Sequence, residues 1–168
     1  RDARISTIYE GTTGIQANDL VGRKVGREGG VTMKGFIAEM RKVAAEAAKH
    51  DDPTLRAIGK RLERSVADLE RATDWIVAVY ATDPGSVAAG SVYYLKLAGL
   101  TAGGWMMAKS ALVATKHLAA SQGDAEFLRG KRLTAHFYAE HQLSKLPGLR
   151  DAIVDGADSV MALALESF

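Results

Sequence analysis

Leu55, Ile58, Leu62, Val66, Leu69, Ile76 and Val79 recur at three- and four-residue spacing, with arginine, lysine and glutamate between them. That period gathers the apolar side chains on one stripe of a helix and leaves the charges on the opposite face. A helix of this length has to bury its stripe against other elements, which commits the chain to packed helices. Thr82-Asp83-Pro84-Gly85 ends it, because proline lacks the N–H that another turn needs.

The flanking segments read the same way. Thr32 is expected to cap a helix through Met33, Phe36, Ile37, Met40, Val43 and Ala47, which Asp51-Asp52-Pro53 stops. Residues 86–120 are rich in alanine and glycine and predict one bundle helix, in which each glycine costs about 1 kcal/mol that close packing must offset. The apolar run between Lys96 and Lys109 is shorter than the roughly 18–20 residues that span a bilayer. After Ser121-Gln122-Gly123-Asp124, a helix is expected over 125–143, and Pro147 starts a final one carrying Leu149, Ile153, Val154, Val160 and Met161. No run of β period and no internal repeat appears. The expected fold is all-α, an antiparallel four- or five-helix bundle.

The chain has 168 residues, 47% of them hydrophobic, which suffices for one domain with its own core. Its 22 basic and 20 acidic residues are intermixed and leave a net charge of +2, which argues against a dedicated nucleic-acid or membrane surface. Without cysteine there is no disulfide or thiolate chemistry, and no charged-then-apolar leader opens the sequence. A cytoplasmic location is the expectation.

Ahead of the bundle, residues 4–16 set Glu10 directly before Gly11-Thr12-Thr13-Gly14, between two apolar-periodic segments. Ile5 and Ile8 suggest a packed helical turn, and Gly11 interrupts it with a residue that tolerates positive φ. Thr12 or Thr13 then caps a new helix, roughly 13–27, carrying Ile15, Leu20 and Arg23. Glu10 is expected in a turn near helix N-terminal N–H groups that favour an anion. From the residues alone, a surface glutamate in a capped turn is the commoner reading. Gly26 to Thr32 is glycine-rich and reads as a linker.

The run Arg1-Asp2-Ala3-Arg4-Ile5-Ser6-Thr7-Ile8-Tyr9-Glu10-Gly11-Thr12-Thr13-Gly14-Ile15-Gln16 resembles the C-terminal signature of flavin-dependent acyl-CoA dehydrogenases, an I-Y-E-G-T core followed by I-Q and a helix. The resemblance implies that Glu10 removes the α-proton of an acyl thioester while the β-hydrogen leaves as hydride to FAD. It implies further that Gly11 lines the substrate and that Thr12, Thr13 and Gly14 approach the flavin. Many relatives carry a side-chain amide where Gly14 stands, so the contact implied there falls to its backbone N–H. The runs Gly103-Gly104-Trp105-Met106-Met107-Ala108 and His136-Phe137-Tyr138-Ala139-Glu140-His141 resemble the extra helical region of the longer bacterial members, including those acting on 3-methylmercaptopropionyl-CoA.

On this resemblance, residues 1–28 end the catalytic region and 29–168 form the helical C-terminal bundle domain. An acyl-CoA substrate, an electron-transfer flavoprotein and a homo-oligomer follow as implied partners. The chain is too short for a complete dehydrogenase, so it is expected to be inactive alone. Two other readings stay open: an acyl-CoA oxidase-like relative that returns electrons to oxygen, and a non-catalytic helical oligomerisation module.

Other chemistry-bearing residues favour structural roles. His136 and His141 stand five apart, not the three or four that puts two metal ligands on one helix face, and no metal site is expected. His50 and His117 fall near helix ends, where they serve terminal carbonyls. Glu63, Asp68 and Glu70 sit among arginines and predict solvated pairs. Trp75, Trp105, Tyr93 and Tyr94 read as core or interface anchors. Arg23 and Lys24 are candidates for an anion contact but usually solvate a helix end.

Overall fold

The computed structural model describes residues 4–5 and 11–167, and among these there are helices and no strand. The order is α1 (Thr13–Asp19), a π-helical segment (Leu20–Gly26), α2 (Val31–Ala48), α3 (Pro53–Val79), α4 (Pro84–Ala89), α5 (Ser91–Ala119), α6 (Ala125–His141), α7 (Leu146–Val154) and α8 (Ala157–Met161). Three aspartates start helices. Asp52 accepts the N–H groups of Thr54 and Leu55 at 2.8 and 3.1 Å, Asp83 that of Ser86 at 3.0 Å, and Asp124 those of Glu126 and Phe127 at 2.9 and 3.2 Å. Each such cap stabilises its helix by about 1 kcal/mol.

The stripe on α3 is the spine of the core: Leu55, Ile58, Leu62, Val66, Leu69 and Ile76 are all buried. The short turn after α2 folds α3 back antiparallel against it, with Gly59 at the closest approach. A Cβ on Gly59 would lie 2.1 Å from the backbone nitrogen of Ala48, so only glycine lets the two backbones meet. On the other side, α5 buries Tyr94, Leu97, Thr101, Gly104, Ala108 and Ala111. Its small residues do what their composition suggested, since Gly104 makes room for Leu143 and Gly103 for the Tyr138 ring. Helix α6 packs on α5 and α3, and α7 returns to both through Leu146 and Ile153.

Several boundaries differ from expectation. The stretch 86–120 is two helices, broken at Gly90, where Ile153 packs so closely that a Cβ would stand 3.3 Å from its Cα. Thr32 does not cap α2. Gly30, at φ 75°, is the N-cap, while the Thr32 hydroxyl donates to Glu28 at 2.8 Å. The helix expected over 125–143 stops at His141, and a 3-10 turn over Leu143–Lys145 leads into α7. The last expected helix divides at Asp155-Gly156, leaving Val160 on the separate α8.

Candidate functional site

Of the residues singled out around the signature turn, Glu10 lies outside the described residues. Gly11 has φ 138°, a conformation that side-chain-bearing residues rarely adopt, and no atom stands within 4 Å of where its Cβ would be. Thr12 follows as the N-cap of α1 without a side-chain capping bond, and its carbonyl accepts the N–H of Gln16 at 2.8 Å. Thr13 and Gly14 open the helix. Thr12 and Thr13 are half-buried, Gly11 and Gly14 are exposed, and the space around Gly14 is open. The turn therefore offers bare backbone along one exposed edge, the kind of surface on which a flat ligand can lie close to main-chain atoms.

What holds this edge in place is the apolar row Ala17, Val21 and Val25, all buried. Ala17 belongs to α1, which packs on α5, and the valines to the π-helical segment, which packs on α2, α3, α4 and α5. The expected single helix over 13–27 is thus α-helical only to Asp19. Beyond it the bonds run five residues back, from Arg27 N–H to the Gly22 carbonyl at 3.0 Å and from Gly30 N–H to Val25 at 2.8 Å. Tyr80 at the end of α3 lies against Gly22 and Gly26, and a Cβ on Gly26 would stand 2.5 Å from the ring.

Arg23 and Lys24 both turn to Asp19, at 3.0 and 3.5 Å, so these cations already have a carboxylate partner. Among the acidic residues expected as solvated pairs, Glu70 accepts Arg41 at 2.6 Å, but Asp68 is buried. Its partner is Arg150, 3.0 Å away on α7. Burial raises the Asp68 carboxyl above its ordinary range despite that guanidinium. His50 does not serve carbonyls with its ring: Nδ1 accepts the Asp52 N–H at 3.0 Å. His136 lies 3.3 Å from Glu140, whereas His141 stacks on Phe137 with centroids 4.4 Å apart. Tyr94 is buried as expected, Trp75 and Trp105 are partly buried against the core, and Tyr93 is exposed.

Residues 36–164 match the family described as acetyl-CoA dehydrogenase C-terminal like. The chain belongs to this family. It is 42% identical over 165 residues to the 3-methylmercaptopropionyl-CoA dehydrogenase of Ruegeria pomeroyi, a span that covers 98% of this chain and 28% of that protein. It is 32% identical to a broad-specificity linear acyl-CoA dehydrogenase of Mycobacterium tuberculosis and 28% identical to a butyryl-CoA dehydrogenase of Syntrophomonas wolfei, each over 100% of this chain and 28% of the relative. The chain thus spans just over a quarter of the length of these curated relatives.

The matched family region begins inside α2, at Phe36, and runs through α8, so the signature turn precedes it. Leu20, Met33, Phe36, Met40, Leu69, Ala98, Ala102 and Trp105 line an apolar cleft of about 290 Å³. A second cleft, about 210 Å³, is basic and is lined by Thr54, Arg129, Arg132, Leu133 and His136. Neither was visible as a motif, because each joins residues from helices far apart in sequence. In the basic cleft Arg132 pairs with the capping Asp52. Burial opposes ionisation of Asp52, but the Leu55 N–H, Arg132 and the Thr54 N–H together hold its carboxyl below the usual range. No helix among the described residues is long and apolar enough to cross a membrane.

Proposed function

We propose that the protein to which this chain belongs is an FAD-dependent dehydrogenase of acyl-CoA thioesters, with residues 1–28 ending its catalytic region and 29–168 forming the appended bundle. Glu10 is the base for the α-proton, Gly11 lines the substrate, and Thr12, Thr13 and Gly14 form one edge of the flavin site. The observation that carries this reading is the signature turn, in which Gly11, at φ 138°, leads into a helix whose first residues leave backbone open to a ligand. Membership of the family and the dehydrogenase names of its relatives support it.

A free carboxylate, with a pKa of about 4.3, is too weak a base for an unactivated thioester α-carbon. Glu10 therefore works only where desolvation raises its pKa and where hydrogen bonds to the thioester carbonyl stabilise enolate-like charge. A glycine at position 11 lets the main chain turn closely enough for the Glu10 N–H to supply one of those bonds. Bound FAD supplies the acceptor for the β-hydride, so the thioester is oxidised as the flavin is reduced. The row Ala17, Val21 and Val25 keeps this edge seated on the bundle, which makes the bundle a positioning element for the turn. An electron-transfer flavoprotein is the proposed electron acceptor and a homo-oligomer the proposed assembly.

The test is to mix the full-length protein anaerobically with butyryl-CoA and with 3-methylmercaptopropionyl-CoA. Bleaching of the flavin, together with an acyl product two hydrogens lighter by mass spectrometry, is the expected result. A flavin that neither thioester reduces would overturn the substrate assignment.

A further inference from the structure

Gly22, Gly26 and Gly30 stand four apart and present a side without Cβ atoms to the end of α3. The Tyr80 ring fills most of that side. A Cβ on Gly26 would lie 2.5 Å from its Cγ and one on Gly22 3.4 Å from its hydroxyl oxygen, so the ring runs along the chain from Gly26 to Gly22. At the next glycine, a Cβ on Gly30 would stand 3.0 Å from Val77 and 3.5 Å from Thr73, both on α3. The backbone of Tyr80 is itself tied down. Its N–H closes α3 on the Ile76 carbonyl at 2.9 Å, and the Val79 carbonyl accepts the N–H groups of Thr82 and Asp83 at 3.0 and 2.9 Å in the turn that follows.

Two of these glycines belong to Leu20–Gly26, whose hydrogen-bonded turns close over five residues where an α-turn closes over four. Such a stretch is rare in isolation and persists where its surroundings hold it. An α-helical Leu20–Gly26 would take up one residue fewer in the turn. Because Gly30, at φ 75°, is seated against α3, the difference would pass toward the N-terminus, rotating α1 and residues 11–14 by about 100° and displacing them by about 1.5 Å. Ala17 would lose its buried place, and the signature turn would face a different direction.

We propose that Tyr80 is a positioning residue for the signature turn: its ring, seated on Gly22 and Gly26, holds Leu20–Gly26 in π register and thereby sets the angle at which residues 11–14, and Glu10 next to them in sequence, meet substrate and flavin. The proposal rests on the reading of Glu10 as the base. Tyr80 acts through the segment and not on the thioester. A base misplaced by about 1 Å loses about 100-fold in rate, so a shift of one residue in register is enough to matter.

Hydrogen exchange of amides 12–30 and anaerobic flavin reduction at saturating acyl-CoA, both on the full-length protein, test this in wild type, Tyr80→Phe and Tyr80→Ala. Tyr80→Phe keeps the ring and should match the wild type in both. Tyr80→Ala should exchange amides 12–30 about tenfold faster while α5 to α7 keep their protection, and should reduce its flavin about 100-fold more slowly at unchanged acyl-CoA affinity. A side chain that only filled space would lower protection across the bundle and leave the reduction rate unchanged. If Tyr80→Ala does not fold, Tyr80→Leu, which keeps apolar bulk over Gly26 but has no ring to reach Gly22, carries the same expectation. Unchanged exchange over 12–30, or faster exchange with an unchanged reduction rate, would overturn the proposal. A wild type whose flavin no acyl-CoA reduces would overturn the reading of Glu10 instead, and the exchange pattern would still decide whether Tyr80 holds the segment.

Discussion

The hydroxyls of Thr73 and Tyr94 meet 2.8 Å apart between α3 and α5, both shielded from solvent. Thr73 spends its one proton on the Leu69 carbonyl at 2.7 Å, so the Tyr94 O–H donates to Thr73 Oγ1. Thr73→Val leaves that buried donor without an acceptor and is expected to cost about 1–3 kcal/mol, whereas Tyr94→Phe removes only the donor and should cost about 1 kcal/mol. Urea denaturation of the two variants and of the double variant checks this. The double variant should lose less than the sum of the singles.

Burial pushes the Tyr94 phenol up to about 12, from 10.0 in the ordinary state. The folded state therefore holds this proton more tightly than the unfolded one, and its contribution to stability is complete below pH 10 and lost as pH rises through 12. Two units correspond to at most about 3 kcal/mol. Alkaline unfolding of wild type and Tyr94→Phe, followed at 222 nm, should show a steeper loss of stability for the wild type across that window.

Arg150→Ala removes the cation facing the buried Asp68 and should destabilise by about 3 kcal/mol at neutral pH, the lower end for a buried pair because Arg150 is partly exposed. The Asp68 carboxyl, already raised by burial, rises further in this variant. A raised carboxyl is fully compatible with the fold below its unfolded pKa and costs stability as pH climbs through the folded one. The deficit relative to wild type should thus shrink between pH 7 and pH 4, and Asp68→Asn in the Arg150→Ala background should recover part of it. Thermal melts at both pH values provide the measurement.

Two glycines in long helices should respond in opposite senses to alanine. At Gly59 the new Cβ would meet the backbone of Ala47 and Ala48, neither of which can swing aside, and about 3 kcal/mol of overpacking is expected. At Gly99, exposed in the middle of α5, nothing lies within 4 Å and the higher helix propensity of alanine should stabilise by about 1 kcal/mol. Chemical denaturation midpoints would separate the pair.

These relationships also mark what was legible in the sequence. The α3 stripe was plain, because periodicity is a local signal, whereas Asp52-Pro53 and Asp83-Pro84 were read only as stops and also start α3 and α4. The π-helical segment was not plain, since Val21 and Val25, four apart, suit an α-helix equally well. Asp68 read as solvated because its neighbours in sequence are arginines, while the residue that meets it, Arg150, is 82 positions away. Where α4 ends, Ile153 packs on Gly90 from another helix and leaves little room for a Cβ, a contact that no window around residue 90 contains. Around the signature turn, the glycine at 11 was read for its positive φ and has it, while Thr12, one of the two expected caps, takes the N-cap position of α1 without a side-chain capping bond.

The isolated chain should not hold FAD. Thr12, Thr13 and Gly14 offer one edge, each net hydrogen bond contributes about 1 kcal/mol, and micromolar affinity needs about 8 kcal/mol. Calorimetric titration of FAD into the 168-residue chain is expected to give no saturable heat at micromolar concentration. Stoichiometric binding there would mean that the remainder of the protein is not needed for the flavin.

The most direct measurement of the proposed function is stopped-flow reduction of the flavin in full-length Glu10→Gln under anaerobic conditions. The amide keeps the shape of the side chain and removes the proton acceptor, so acyl-CoA binding should persist while the reduction rate falls by about 100- to 10,000-fold. Flavin reduction at the wild-type rate in Glu10→Gln would contradict the assignment of Glu10 as the base.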